Sequence, residues 1–285
     1  MTPVRFLHEG AELFVPDGRP VEHALARTTH LGVAAHQDDL EIMAIDGILE
    51  CFQREDKGFC GVIVTDGAGS PRADLYASTS DEAMQLVRAK EQKKAAVVGE
   101  YCALALLGYP SRAVKDTSTR GPVEDLYALL AAAKPSVVYT HNLADKHPTH
   151  VAVAVRTISA IRTLAPVDRP RRLYGCEVWR SLDWMLDEDR TAFDCSPREG
   201  LQTALLGVFD SQISGGKRYD VATMARRRAH ATYAESHGID VTSGIAYAMD
   251  LTPLIEDPSL EVVAFVEGTI RRFTEEVRRV LIQSL

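Results

Sequence analysis

The sequence predicts an α/β protein with a Rossmann-like parallel sheet and helices on both faces, and three observations carry that reading. Short β-branched runs alternate with longer segments of helical periodicity over the first 165 residues, which is how crossover connections between parallel strands are written. The residues after those runs are unusually polar. No internal repeat or low-complexity linker interrupts the pattern.

The expected strands are Leu31 to Ala35, Cys60 to Thr65, Ala103 to Leu107 and Ser136 to Thr140, with a further strand around Leu173 to Trp179. Between them, about 40–56, 81–99, 121–133 and 149–163 place apolar residues at helical spacing. Helical stretches at about 197–209 and 218–236 and a final helix ending near Leu285 complete the chain. Its 285 residues suit one domain, with a core at about 28–180 and a C-terminal helical elaboration at about 181–285.

Composition narrows the classes of function. A net charge of −8 argues against wrapping a polyphosphate, so no nucleic-acid partner is expected, and Arg226 to Arg228 read as a solvated helix face. The longest apolar runs fall far short of the roughly 20 residues needed to cross a bilayer. The acidic N-terminal region does not resemble a signal peptide. Five cysteines without CxxC spacing read as reduced core thiols. A cytoplasmic protein with no membrane partner is expected.

In open α/β sheets reactive groups gather beyond the carboxyl ends of the strands. After the first expected strand comes His36-Gln37-Asp38-Asp39, after the second Asp66-Gly67-Ala68-Gly69-Ser70, and after the fourth His141-Asn142, leading to His147-Pro148-Thr149-His150. His36 and Asp39 can be aimed at one point by a single tight turn, and an imidazole with a carboxylate suits a borderline divalent ion such as zinc or iron. Asp38 is a second carboxylate that can take a proton from a water activated by that ion. Pro148 fits the first position of a helix, which makes His147 its cap and puts His150 in the first turn. His150 can complete a two-histidine, one-carboxylate set with positions left open for water and substrate. Each motif alone has a plainer reading, in which His36 and the aspartates cap their elements and the later histidines are solvated. Two such motifs converging on one crevice make that reading hard to sustain.

His36-Gln37-Asp38-Asp39-Leu40-Glu41 together with His147-Pro148-Thr149-His150 resembles the LmbE-like, or PIG-L-like, N-deacetylase family, whose signatures are AHPDDE and HPDH. The likeness extends through Thr65-Asp66-Gly67, Arg88, Glu91, Leu106-Leu107-Gly108, Ser211-Gln212 and Tyr247-Ala248. It implies that His36, Asp39 and His150 bind one divalent metal ion, zinc or iron(II), that Asp38 is the general base, and that His147 stabilises or protonates the tetrahedral intermediate. It also implies a small-molecule substrate of the N-acetylglucosamine type, from which an N-acetyl group is removed, and a protein that self-associates as relatives often do. Gln37 stands where the family has proline, Leu40 where it has glutamate, and Thr149 where it has aspartate. Leu40 followed by Glu41 shifts the supporting carboxylate by one position. Some relatives carry a tyrosine shortly before HPDH, where this chain has Asp145-Lys146.

Arg72 is a candidate for gripping a substrate hydroxyl or phosphate, since arginine offers a rigid fork of donors. His141, also at a strand end, reads as a residue that orients a neighbour. Two other functions compete: a nucleotide-binding Rossmann protein, for which Gly67-Ala68-Gly69 is an incomplete GxGxxG loop, and a phosphoesterase on the same scaffold.

Overall fold

The computed structural model describes residues 4–285. Eight strands form one sheet: β1 (Glu12–Phe14), β2 (His30–Ala34), β3 (Phe59–Thr65), β4 (Ala103–Tyr109), β5 (Val137–His141), β6 (Arg172–Cys176), β7 (Arg190–Asp194) and β8 (Ile245–Asp250). Their order is β1-β4-β3-β2-β5-β6-β8-β7. The five central strands run parallel, and β2 lies between β3 and β5. The chain winds away from β2 in both directions, so the crevice of this doubly wound sheet opens between β2 and β5.

All five expected strands are present, and the α/β class holds. The sheet is mixed at its margins, because β1, β7 and β8 pair antiparallel. The region expected to be a purely helical elaboration therefore supplies two strands. β7 is only half-buried and lacks the apolar run of a central strand, whereas β8 carries such a run, Ile245 to Met249, which the sequence offered and the expectation missed.

Alternation along the strands feeds two cores. Leu31, Val33 and Ala35 of the β2 segment pack with the helices Gly121–Ala133 and Pro148–Thr163, whereas Ala34 faces the helices Asp39–Met43, Ile45–Cys51 and Glu199–Gly207. The expected helix at about 40–56 is broken at Ala44, with φ −103° and ψ 24°, which gives its first five residues their own direction.

Leu40 determines how closely that short helix approaches the sheet. Gly32 and Gly61 are paired in register on β2 and β3, and a Cβ added to either would lie 2.7 Å from a terminal methyl of Leu40. Leu40 is fully buried in this hollow. A glutamate at this position would put a charge into this apolar hollow.

Arg227 fastens the other end of the helix. Its guanidinium donates to the carbonyls of Glu41, 2.8 Å, and Ile42, 3.2 Å, which are among those the helix leaves without an internal donor, and to Gln202 Oε1 at 2.8 Å. Only 3% of Arg227 is exposed. The expectation of a solvated arginine face is thus wrong at this residue, because its role is set by carbonyls far back along the chain. Burial lowers its pKa to about 10, still charged at neutral pH.

Gly61→Ala should overfill the Leu40 hollow and cost about 1–3 kcal/mol of stability. Urea unfolding measures this, and adding Leu40→Val should recover part of the loss. Unchanged stability in Gly61→Ala would mean that the helix does not rest on the sheet at this point.

Candidate metal centre

The turn after β2 places three groups by backbone geometry. Asp38 adopts a left-handed conformation, φ 93° and ψ −28°, which costs a non-glycine residue of order 1–3 kcal/mol and persists only where its surroundings enforce it. Two contacts do so: Gln92 Oε1 accepts from the Asp38 N–H at 3.2 Å, and Arg88 donates to the Gln37 carbonyl at 2.5 Å. The Asp38 side chain makes no capping hydrogen bond, so the plainer reading of this aspartate fails.

The turn after β5 is organised by Asp145. Its Oδ1 accepts from the His147 N–H at 2.9 Å and stands 3.7 Å from His150 Nδ1, while Oδ2 accepts from the Trp179 N–H at 3.0 Å. His147 caps the helix Pro148–Thr163 as expected, its Nδ1 accepting from the Thr149 N–H at 3.3 Å. His150 is fully buried in the first turn.

These turns bring His36 Nδ1, Asp39 Oδ2 and His150 Nε2 into a triangle with edges of 3.1, 3.2 and 3.3 Å. Donors about 2.0–2.1 Å from a tetrahedral ion lie roughly 3.3 Å apart, so the triangle has the dimensions of three ligands around one ion. The donor set fits as well, since two imidazoles and a carboxylate are the ligands of many catalytic sites for divalent ions.

His141 also approaches Asp39 Oδ2, at 3.5 Å, but its Nε2 already accepts from the Ala35 N–H at 2.8 Å. With that lone pair engaged, His141 acts as a wall: its ring stacks on His150 with centroids 3.9 Å apart and limits the tilt of that ring. His147 stacks on the other side at 4.5 Å.

Charge in the site is strongly shaped. Burial favours the neutral form of Asp39, but His150, His141 and His36 outweigh it and hold the carboxyl far below the usual range. Burial pushes Asp38 well up, Arg88 at 3.7 Å opposes this, and Asp39, Glu41 and Glu91 add to the rise. A divalent cation at the triangle would favour ionised Asp38 again. Burial and the two neighbouring imidazoles lower His147 to about 4, so its ring is neutral near pH 7. With Nδ1 accepting from Thr149, that neutral ring carries its proton on Nε2.

His36, Asp38, Asp39 and His147 line a cavity of about 420 Å³. Arg72 does not line it. Its guanidinium donates to the carbonyls of Ala68 and Thr79 and to Asp81 Oδ1, so it ties down the loop after β3. Lys146 is exposed and likewise outside the lining, whereas Arg88, Trp179, Gln212 and Tyr219 belong to it. Gln212 and Tyr219 come from the C-terminal region, too far along the chain for any local pattern to tie them to β2. Gly67, with φ 76°, does line the crevice, but the next α-helix begins only at Asp81, so Gly67-Ala68-Gly69 lacks the helix N-terminus on which a dinucleotide loop depends. Among the described residues two groups could hold an ion, His36 with His147 and His150, and Asp39 with His141 and His150; they share His150, and the triangle takes one further member from each.

Residues 31–161 match the family model described as PIG-L, GlcNAc-PI de-N-acetylase. That segment is similar to the PIG-L family. No curated protein sequence matches it significantly. Among solved structures, the conserved protein TT1542 from Thermus thermophilus is 19% identical, with a TM-score of 0.59, over 82% of this chain and 100% of that one. The 4-carboxy-2-hydroxymuconate hydratase GalB from Pseudomonas putida is 15% identical with a TM-score of 0.58, covering 79% and 96%. The N,N'-diacetylchitobiose deacetylase from Pyrococcus horikoshii is 17% identical with a TM-score of 0.56, covering 81% and 88%. At these identities the likenesses establish a shared fold. Among the described residues, no helix is long and apolar enough to cross a membrane.

Glu41 lies behind the site. Its Oε1 accepts from the Tyr101 hydroxyl at 2.6 Å and from Gln92 Nε2 at 2.8 Å, so the shifted carboxylate supports Asp38 through Gln92, while Oε2 has no partner. Burial pushes Glu41 up to about 7, its hydrogen bonds opposing only in part. A carboxyl raised on folding contributes stability that is full below its unfolded pKa, about 4.5, and is lost as pH rises through 7. Between pH 5 and 8, Glu41→Gln should therefore lose about 3 kcal/mol less stability than the natural protein. Urea denaturation across this range is the measurement, and parallel stability curves for the two proteins would contradict it.

Proposed function

We propose that this protein is a metal-dependent amide hydrolase that removes the acetyl group from the nitrogen of an N-acetylglucosamine-type sugar conjugate, with zinc as the ion its donors suit best. The observation that carries this reading is the ligand-sized triangle of His36, Asp39 and His150 with a second carboxylate, Asp38, beside it in the same cavity. The PIG-L match supports deacetylation over the hydration chemistry that GalB performs on a similar fold.

A divalent ion held there supplies Lewis acidity to the amide carbonyl and lowers the pKa of a water. Asp38 is placed to take a proton from the attacking water. His147 lines the same cavity and presents a neutral Nε2–H, which can donate to the carbonyl oxygen as it gains negative charge. The sequence-based assignment of a protonated histidine gives way to this neutral donor, because burial among other imidazoles disfavours the cation. Asp38, protonated once, is then the group that can return a proton to the departing amine.

Metal-loaded protein incubated with N-acetylglucosamine conjugates should release acetate and free amine in equal amounts and leave phosphate esters intact. Positioned acid–base groups contribute about 10²- to 10⁴-fold, so Asp38→Asn should lower kcat by that range while metal content is unchanged. Phosphate release without amine, or full activity in Asp38→Asn, would overturn the assignment.

A further inference from the structure

The cavity beside the metal centre has a consistent charge pattern away from the ligands. Among the described residues its only carboxylates are Asp38 and Asp39, both at the metal end, although the chain has 40 acidic against 32 basic residues. Three cationic side chains line it: Arg88, 3.7 Å from Asp38, and Lys115 and Lys217. Among the described residues neither lysine pairs with a carboxylate within 4.0 Å, and neither ammonium donates a hydrogen bond to protein. A cavity of about 870 Å³ elsewhere on the molecule has a different charge pattern. It mixes Asp183, Asp187 and Glu188 with Arg190, Arg226 and Arg279.

A second observation points the same way. Ser70, on the loop after β3, lines the same cavity, and its buried hydroxyl has no hydrogen-bond partner. A buried hydroxyl without a partner is costly unless something arrives to satisfy it. Lys217 Nζ stands 5.2 Å from the centroid of the Trp179 ring, an apolar face beside the same opening. Two exposed ammonium groups without a carboxylate partner and an unsatisfied hydroxyl around one concave space form a receptor for negatively charged oxygen.

We propose that Lys115, Lys217 and Ser70 form an anion subsite, and that the substrate is an N-acetylated amino-sugar conjugate bearing a carboxylate or phosphate on the part remote from the amide. The inference rests on the deacetylase reading for the identity of the sugar, and on the charge pattern alone for the anion. The subsite would hold the charged end of the conjugate while its amide lies at the metal end, so that attraction sets the register of the substrate before chemistry.

Binding without turnover separates the two readings. Isothermal titration of metal-loaded Asp38→Asn would use three ligands: the neutral methyl glycoside of N-acetylglucosamine, its 1-phosphate, and a glycoside carrying a carboxylate. At least one charged ligand should bind about ten-fold more tightly than the neutral one, the order expected from two modest charge-assisted contacts. Which one does identifies phosphate or carboxylate as the group. Adding Lys115→Met and Lys217→Met should abolish the preference and leave the neutral affinity unchanged, and arginine at both positions should restore it. Equal affinity for neutral and charged glycosides, or a preference that survives the double substitution, would overturn the subsite while leaving the deacetylase reading intact. If no glycoside binds but inorganic phosphate or malonate does so in a lysine-dependent manner, the subsite stands and the sugar assignment falls; if nothing binds, both fall.

Discussion

The close approach of Leu40 to paired glycines is the constraint on which the site depends. Gly32 and Gly61 remove two side chains from neighbouring strands, and Leu40 fills the space they leave. The short helix Asp39–Met43 is thereby brought down onto the sheet, Arg227 takes its last carbonyls, and Gln92 takes the amide of Asp38. With both ends of one turn fixed, Asp38 stays in a conformation it would otherwise leave, and Asp39 is directed at His150 across the switch point. Binding chemistry at this position thus derives from packing and hydrogen bonding outside the ligand set.

Electrostatics follow from that placement. Three imidazoles within 3.5 Å of one carboxylate oxygen would be a poor arrangement for a structural core, since at most one can donate to it well and all are withdrawn from water. His150 Nδ1 and His141 Nδ1 lack hydrogen-bond partners in the protein. Uncompensated polar burial of this kind is characteristic of sites that exist to hold something, and the ligand-sized triangle shows what it can hold. The same low-polarity surroundings keep His147 neutral and raise Asp38, so the two proton-handling groups differ in state because their neighbours differ.

Much of this was legible in the sequence, for identifiable reasons. Central strands are buried on both faces and announce themselves as apolar runs, and the polar residues directly after them fall in the crevice by topology alone. His36, Asp38, Asp39, His147 and His150 were therefore accessible from local motifs. Arg72 misled because a donor-rich side chain near the site looks the same in sequence whether it faces a ligand or braces a loop. Arg227, Gln92 and Tyr219 were hidden for the opposite reason: each acts on the site from a distant part of the chain, and only the fold brings it there. β7 went unseen because a marginal antiparallel strand with one exposed face lacks the signal that β2 to β6 carry, whereas β8 does carry a buried apolar run, Ile245 to Met249, that was legible and missed.

The central claim is that one divalent ion is bound by His36, Asp39 and His150 while His141 only supports them. Elemental analysis of the purified protein and of single alanine variants, after equilibration with zinc, tests this most directly. About one ion per chain is expected, retained in His141→Ala and lost in His36→Ala and His150→Ala. Two ions per chain, or metal content undiminished in both His36→Ala and His150→Ala, would contradict it.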